Sequence, residues 1–176
     1  MVKLSGGKLL LRAPEPEDLD YLYLWENDPE VWHVSNTLTP FSRYTLKNYI
    51  ENSHLDIYQT RQLRLMIDIA STSQTIGSID LFDFEPFHNR AGIGILIGDV
   101  SQRHKGYAAG ALDILIDYAF GILNLHQLYC GIGEHNQSSI LLFQSRNFVK
   151  CGERKDWLKS GGGWETEILF QLISNK

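Results

Sequence analysis

Apolar residues along this chain switch between strand-like and helix-like spacing, and the switches mark out its elements. Leu9, Leu10 and Leu11 predict a short strand over 8–12, ended by Pro14 and Pro16. Over 15–27, Leu19, Leu22 and Tyr23 form one face of a helix whose first turn is acidic, as the helix dipole favours. Asp28-Pro29-Glu30 breaks that helix, and 31–41, with Trp32 and His33, reads as an irregular loop. A loop this aromatic fits a substrate lid and equally fits ordinary packing between helices. Ser42 is the expected N-cap of a second helix running to about residue 54, with Leu46, Tyr49 and Ile50 inward. Residues 63–70 and 76–84 read as an antiparallel hairpin around Ser71-Thr72-Ser73-Gln74. A turn at 85–89 leads to a strand over 90–98. Leu112, Leu115, Ile116, Ala119 and Leu123 then fall at helical spacing, so a helix starts near Gly106, with Asp113 and Asp117 on its wet face. A strand over 127–133 and a helix over 138–146 follow. Strands over 149–159 and 164–173 close the chain, joined by Ser160-Gly161-Gly162-Gly163. The order is strand, helices, three antiparallel strands, helix, strand, helix, two strands. That is an α/β (α+β) sandwich with a mixed sheet.

Composition narrows the function classes. The 176 residues favour one domain, 1–176, long enough to bury a proper core. A net charge of -5 argues against a nucleic-acid surface built on bulk charge and is compatible with a cationic substrate. No apolar run reaches the ~18 residues of a membrane span, and Met1-Val2-Lys3 leads into no signal-peptide core. A cytoplasmic location with no membrane partner is the expectation. Cys130 and Cys151 lack C-x-x-C spacing and are expected as buried free thiols. The six histidines form no i, i+4 pair, so no metal site is expected.

The chemistry concentrates between the 90–98 strand and the long helix. There the chain runs Asp99-Val100-Ser101-Gln102-Arg103-His104-Lys105-Gly106-Tyr107-Ala108-Ala109. Free N–H groups at a helix start, a positive dipole end and basic neighbours make an anion site. Gly106, Ala108 and Ala109 lack the bulk that keeps a phosphate off those amides. The Walker and dinucleotide patterns are absent from this loop, and Gly92, Gly94 and Gly98 lie within a strand at the wrong spacing. What stands there is Arg103-x-x-Gly106-x-Ala108, of the form (Q/R)-x-x-G-x-(G/A).

Here the chain resembles the GNAT superfamily of N-acetyltransferases, whose loop of this form holds the pyrophosphate of acetyl-CoA. Leu11-Arg12-Ala13-Pro14 with Glu17-Asp18-Leu19, Asp117-Tyr118-Ala119-Phe120 with Leu123-Asn124-Leu125, and Asn136-x-x-Ser139 before Asn147-Phe148 extend the likeness over nearly the whole chain. They look like the branch that acetylates ribosomal-protein N-termini and spermidine. The resemblance implies a mixed, mostly antiparallel sheet flanked by helices on both faces. It implies that Leu96, Ile97 and Gly98 bond the pantetheine through their backbone. Arg103, His104, Lys105, Gly106, Tyr107 and Ala108 would hold the pyrophosphate, Asn136 would touch the coenzyme arm, and Phe143 would stand beside the sulfur. Self-association into a homo-oligomer is compatible with it.

Two departures bear on catalysis. Many relatives have a tyrosine where Phe143 stands, proposed to protonate the leaving thiolate, and a glutamate on the strand where Gly92 and Gly94 lie. Only a neutral amine attacks a thioester, and an alkyl ammonium ordinarily loses its proton near pH 10.4, so a base within reach would help. Asp80 and Asp83 are the candidate bases, with Glu85 and His88 nearby. Strict alternation puts Asp80 and Asp83 on opposite faces unless a bulge intervenes. A backbone N–H near Ile97 would meet the oxyanion. Glycines at 92, 94 and 98 fit a bulge, close approach of a ligand, or tight packing under a helix. The expected activity is transfer of acetyl from acetyl-CoA to a primary amine, either a polyamine such as spermidine or a protein N-terminal amine. The alternative is a catalytically weakened acyl-CoA-binding module acting as a sensor or assembly subunit.

Overall fold

The computed structural model describes residues 4–35 and 37–174, the side chains of His33 and Val34 excepted. Its strands are β1 (Ser5–Gly6), β2 (Leu9–Arg12), β3 (Leu63–Ile69), β4 (Gln74–Glu85), β5 (Arg90–Ile97), β6 (Gln127–Gly133), β7 (Val149–Ser160) and β8 (Gly163–Ile173). Its helices are α1 (Leu19–Glu26), α2 (Pro29–Ser35), α3 (Arg43–Glu51), α4 (Ile57–Thr60), α5 (Tyr107–Gly121) and α6 (Gln137–Gln144). Short 3-10 turns occupy Pro16–Asp18 and Val100–Gln102. The strands make one sheet in the order β1-β2-β3-β4-β5-β6-β8-β7. Only β5 with β6 is parallel; every other pairing is antiparallel.

Alternation along the strands gives each face its own core. Leu65, Ile67, Ile79, Leu81, Ile93, Leu128 and Phe170 point to one face, where they meet Ala111, Leu112, Leu115 and Ala119 of α5 and Ile140 and Phe143 of α6. Met66 points the other way and packs with Leu22 and Trp25 of α1 and Leu46 and Ile50 of α3. Helices therefore cover both faces, as expected. Arg12 fixes where α1 starts. Its Nη1 and Nη2 donate to Asp18 at 2.6 and 2.8 Å, and its Nε donates to Asp68 at 2.6 Å. That largely buried clamp pins the turn before α1 to β2 and β3, and so sets the height at which Trp25 meets the sheet.

Several expectations change. Residues 31–41 do not begin as a loop, because α2 spans Pro29–Ser35. Proline ends one helix and starts the next for the same reason: its φ is preset, and the N–H it lacks would be unpaired at a first helical position. Glu30 N donates to Asp28 Oδ1 at 2.9 Å and secures the start. Asn36 and the His33 side chain, and with them part of the lid reading, lie outside the described residues, as do Met1–Lys3. Ser42 does cap α3, accepting from Thr45 N at 3.0 Å, but α3 stops at Glu51. Two elements are additional: the two-residue β1, and α4, whose Asp56 accepts from Tyr58 N and Gln59 N.

Candidate active site

The sheet opens in its middle. β5 and β6 run side by side only where Arg90, Ala91 and Gly92 meet Gln127, Leu128 and Tyr129. Beyond that point β5 keeps β4 as its partner to Ile97, while β6 keeps β8 to Gly133. Among the described residues, the edge of β5 over 93–97 that faces β6 has no strand partner. Apart from Ile97 O, which takes the Arg103 side chain, this edge can bond an extended ligand as a strand would.

The loop after β5 is built to aim α5 at the mouth of this wedge. Asp99 Oδ1 accepts from Ser101 N at 2.9 Å, and Arg103 Nε donates to Ile97 O at 3.0 Å, folding the loop back on the strand end. His104 and Gly106 take left-handed φ of 61° and 82° and turn the chain into the helix. Gly106 is the N-cap and offers no side chain to the first turn. The amides of Tyr107, Ala108 and Ala109 are thus unpaired within a 15-residue helix, at its positive end.

Eight of the residues expected at the coenzyme share one groove of about 440 Å³: Leu96, Ile97, Arg103, His104, Gly106, Tyr107, Ala108 and Asn136. Val31 of α2 and Leu142 of α6 close its sides. Three residues fall elsewhere. Gly98 lies under Trp25, and a Cβ there would stand 2.3 Å from the indole, so packing explains this glycine. Lys105 Nζ donates to Gln102 Oε1 at 3.0 Å and lines a separate cavity between α5 and the β1–β2 turn. That cavity is larger, about 650 Å³, but does not include the open edge of β5. Phe143 lines an adjoining chamber with Gly94, Cys130 and Asn136, buried edge-to-face against Phe148 at 5.0 Å. Asn136 caps α6, its Oδ1 accepting from Ser139 N at 3.1 Å and Ser138 Oγ at 3.0 Å.

On the α1–α3 face the wedge widens into a chamber of about 590 Å³. A bulge in β4 after Phe82, with Asp83 at φ 47°, brings Asp80 and Asp83 to this same chamber despite the odd spacing. Asp80 is held by Arg64, whose Nε and Nη2 donate to its two oxygens at 2.7 and 3.1 Å. Arg64 Nη1 reaches Glu26 Oε1 at 2.5 Å. Burial alone would lower the Arg64 pKa, but Asp80 and Glu26 outweigh it and hold the guanidinium charged. Burial pushes the neighbouring Tyr49 phenol up to about 12, against the pull of Arg64. Glu85 and His88 stay at the β4–β5 turn, Glu85 accepting from Phe87 N and His88 against the Phe87 ring.

The sequence reading missed Glu167 of β8. It is buried, lines both chambers, and accepts from Arg154 Nη1 at 3.0 Å. Its Oε1 lies 2.3 Å from where a Cβ on Gly131 would stand. Gly92 is similarly filled, by the Phe82 ring at 2.3 Å. A glycine facing a large partner across the sheet was the available signal. Counting Glu26, Asp80, Asp83 and Glu167 against Arg64 and Arg154, the chamber carries more negative than positive side chains.

The cysteines divide. Both are free, but Cys151 is exposed rather than buried, because β7 is an edge strand and bulges there. Cys130 is buried in the wedge wall, and burial, with Cys151 and Glu167 nearby, pushes its thiol up to about 12. A thiol that stays protonated is a poor nucleophile.

Residues 8–149 match the family model of the acetyltransferase (GNAT) domain. An uncharacterized N-acetyltransferase of Bacillus licheniformis, p20, is 31% identical over 179 residues, covering 100% of this chain and 98% of that protein. The spermidine N(1)-acetyltransferase of Vibrio cholerae is 27% identical over 174 residues, 97% of this chain and 96% of its own. The crystal structure of spermidine N-acetyltransferase from Vibrio cholerae in complex with CoA and spermine superposes with a TM-score of 0.87, covering 97% and 98% of the two chains at 23% identity. Among the described residues, no helix is long and apolar enough to cross a membrane.

Proposed function

The chain belongs to the acetyltransferase (GNAT) family, and from that premise we propose that it moves acetyl from acetyl-CoA to a primary amine of a small polycation such as spermidine. The observation that carries this reading is the wedge, whose open β5 edge ends at the unpaired amides of α5. In this reading 1–176 is one cytoplasmic acetyltransferase domain. Arg103, His104 and the first-turn amides of α5 take the pyrophosphate, and β5 takes the pantetheine arm. Excess negative charge in the chamber favours a polyamine over a protein N-terminal amine, and the similarity to a spermidine acetyltransferase supports the same choice.

The amine nitrogen attacks the thioester carbonyl, the C–N bond forms, the C–S bond breaks, and the ammonium proton ends on the leaving sulfur or on water. An ordinary thiol ionises near 8.5 and leaves near neutrality with little help, whereas the ammonium ionises near 10.4. Losing the ammonium proton is the harder step, so the absence of a hydroxyl at Phe143 is tolerable. Phe143 then supplies shape and excludes water.

One observation favours a second reading. Phe143 is buried where the resemblance implies a proton donor, which suits an acyl-CoA-binding module with weakened catalysis. CoA release measured over spermidine, short diamines, Ala- or Ser-ended peptides and neutral amines separates the two. Turnover led by polyamines supports the transferase, and coenzyme binding without CoA release on any acceptor supports the module.

A further inference from the structure

The geometry points to Glu167 as the carboxylate that receives the acceptor's ammonium group, with Arg154 holding that place until the acceptor arrives. This rests on the acetyltransferase reading above. The other carboxylates of the chamber are engaged or exposed. Both oxygens of Asp80 are taken by Arg64, Glu26 completes the same clamp, and Asp83 stands exposed on its bulge. Glu167 differs in both respects. Its side chain is 12% exposed, yet its cationic partner Arg154 is 47% exposed. Bare backbone at Gly131 admits the carboxylate to the wedge, where it borders both chambers. Its Oε2 accepts from Arg154, while its Oε1 accepts no hydrogen bond among the described residues.

Arg154 is placed to leave. It sits on the edge strand β7 where the register shifts between Arg154 and Leu158, and its guanidinium lies 4.8 Å from the Trp157 ring centroid. Trp157 is itself exposed, and the guanidinium rests against its ring while paired with Glu167, so that contact on the outer side is in place when the carboxylate lets go. A buried carboxylate stripped of its partner is costly, which forbids an empty site. Exchanging one cation for another avoids that cost. An alkyl ammonium carries the same charge as the guanidinium in a smaller head, and entering from the chamber it reaches the wedge wall beside Cys130 and Gly131.

The test is calorimetric titration of spermidine into the CoA-loaded protein, with acetyl-CoA turnover as a second arm. Glu167→Gln should weaken spermidine tenfold or more. Arg154→Ala, which removes the internal competitor, should tighten it severalfold. CoA affinity should stay within twofold in both, and KM for spermidine should move in the same two directions with kcat changing less. Glu167→Asp, which keeps the charge on a shorter arm, should bind spermidine more weakly than wild type at unchanged CoA affinity, and covers the case in which the Gln variant fails to fold. Spermidine bound equally by wild type and Glu167→Gln, or bound more weakly by Arg154→Ala, overturns the assignment. If spermidine binding follows the expected pattern while no amine yields CoA, the cation site stands and the transferase reading falls.

Discussion

Gly106 is the position where a single added side chain tests the coenzyme site. Its φ of 82° is one that side chains rarely adopt, yet nothing lies within 4 Å of the place a Cβ would occupy. In Gly106→Val the backbone is strained while the Cβ itself meets no neighbour. The left-handed conformation costs about 1–2 kcal/mol for a residue with a Cβ. In a chain of this size each kcal/mol moves Tm by about 2–4 °C, so the variant should fold and melt about 2–8 °C below wild type. Coenzyme at a hundred times Kd adds about 2.7 kcal/mol, a rise of roughly 5–11 °C for wild type. If the valine methyls crowd the first-turn amides and weaken binding tenfold, the same coenzyme concentration adds only about 1.4 kcal/mol, and the rise halves. Gly7 is the control. Its φ is 58°, a Cβ there also meets nothing within 4 Å, and it does not line the groove. Gly7→Val should lose a similar part of its Tm and keep the full coenzyme rise. A full rise in Gly106→Val would refute the placement of the pyrophosphate at α5.

Further outcomes follow from the geometry. Phe143→Leu should lower stability by about 1–3 kcal/mol, through lost area and the edge-to-face contact with Phe148, and change kcat only modestly. Phe143→Tyr should not raise kcat by the ~10²-fold of a general acid; such a gain with a new falling limb near pH 10 would favour the binding-module reading. Asp80→Asn should act on Tm, since it breaks one half of the clamp on Arg64 at a cost of about 3 kcal/mol; a rate loss at unchanged Tm would return Asp80 to the role of base. Thiol titration of the native protein should find Cys151 quickly and Cys130 only on unfolding. Because burial raises the Cys130 pKa above its unfolded value, its contribution to stability is full below about pH 8.5 and is lost as pH rises towards about 12. Chemical denaturation of Cys130→Ala across that window should show a flatter alkaline decline, by up to about 1.4 kcal/mol per pH unit.

The long periodic elements were legible from spacing alone. β3, β5, β6 and α5 lie within a residue or two of their expected bounds, because one buried face dictates each pattern. The helix start after Gly106 was legible because a glycine and small residues stand between an apolar run and helical spacing. What the pattern hid was set by tertiary partners. Pro29 ends α1 and begins α2, and a proline signals both events with the same residue. The bulge that carries Asp83 into the chamber leaves no mark on a period-two reading. Of the readings open for Gly98, tight packing under a helix is the one that Trp25 settles, from more than seventy residues away in the chain. Nothing in the sequence pattern set Glu167 apart, because what admits it to the wedge is the bare backbone of Gly131 on another strand.

The most direct test of the central claim is product analysis by mass spectrometry, which avoids the background that the exposed Cys151 gives to thiol reagents. Purified protein, acetyl-CoA and spermidine are incubated near pH 8, and CoA and acetylated amine are quantified together. The proposed function predicts one acetylated amine for each CoA formed, with acetylation confined to a primary amine and no acetyl adduct on the protein. Tight binding of acetyl-CoA with neither product rising above the protein-free control, for spermidine and for every other amine of the panel, would contradict it.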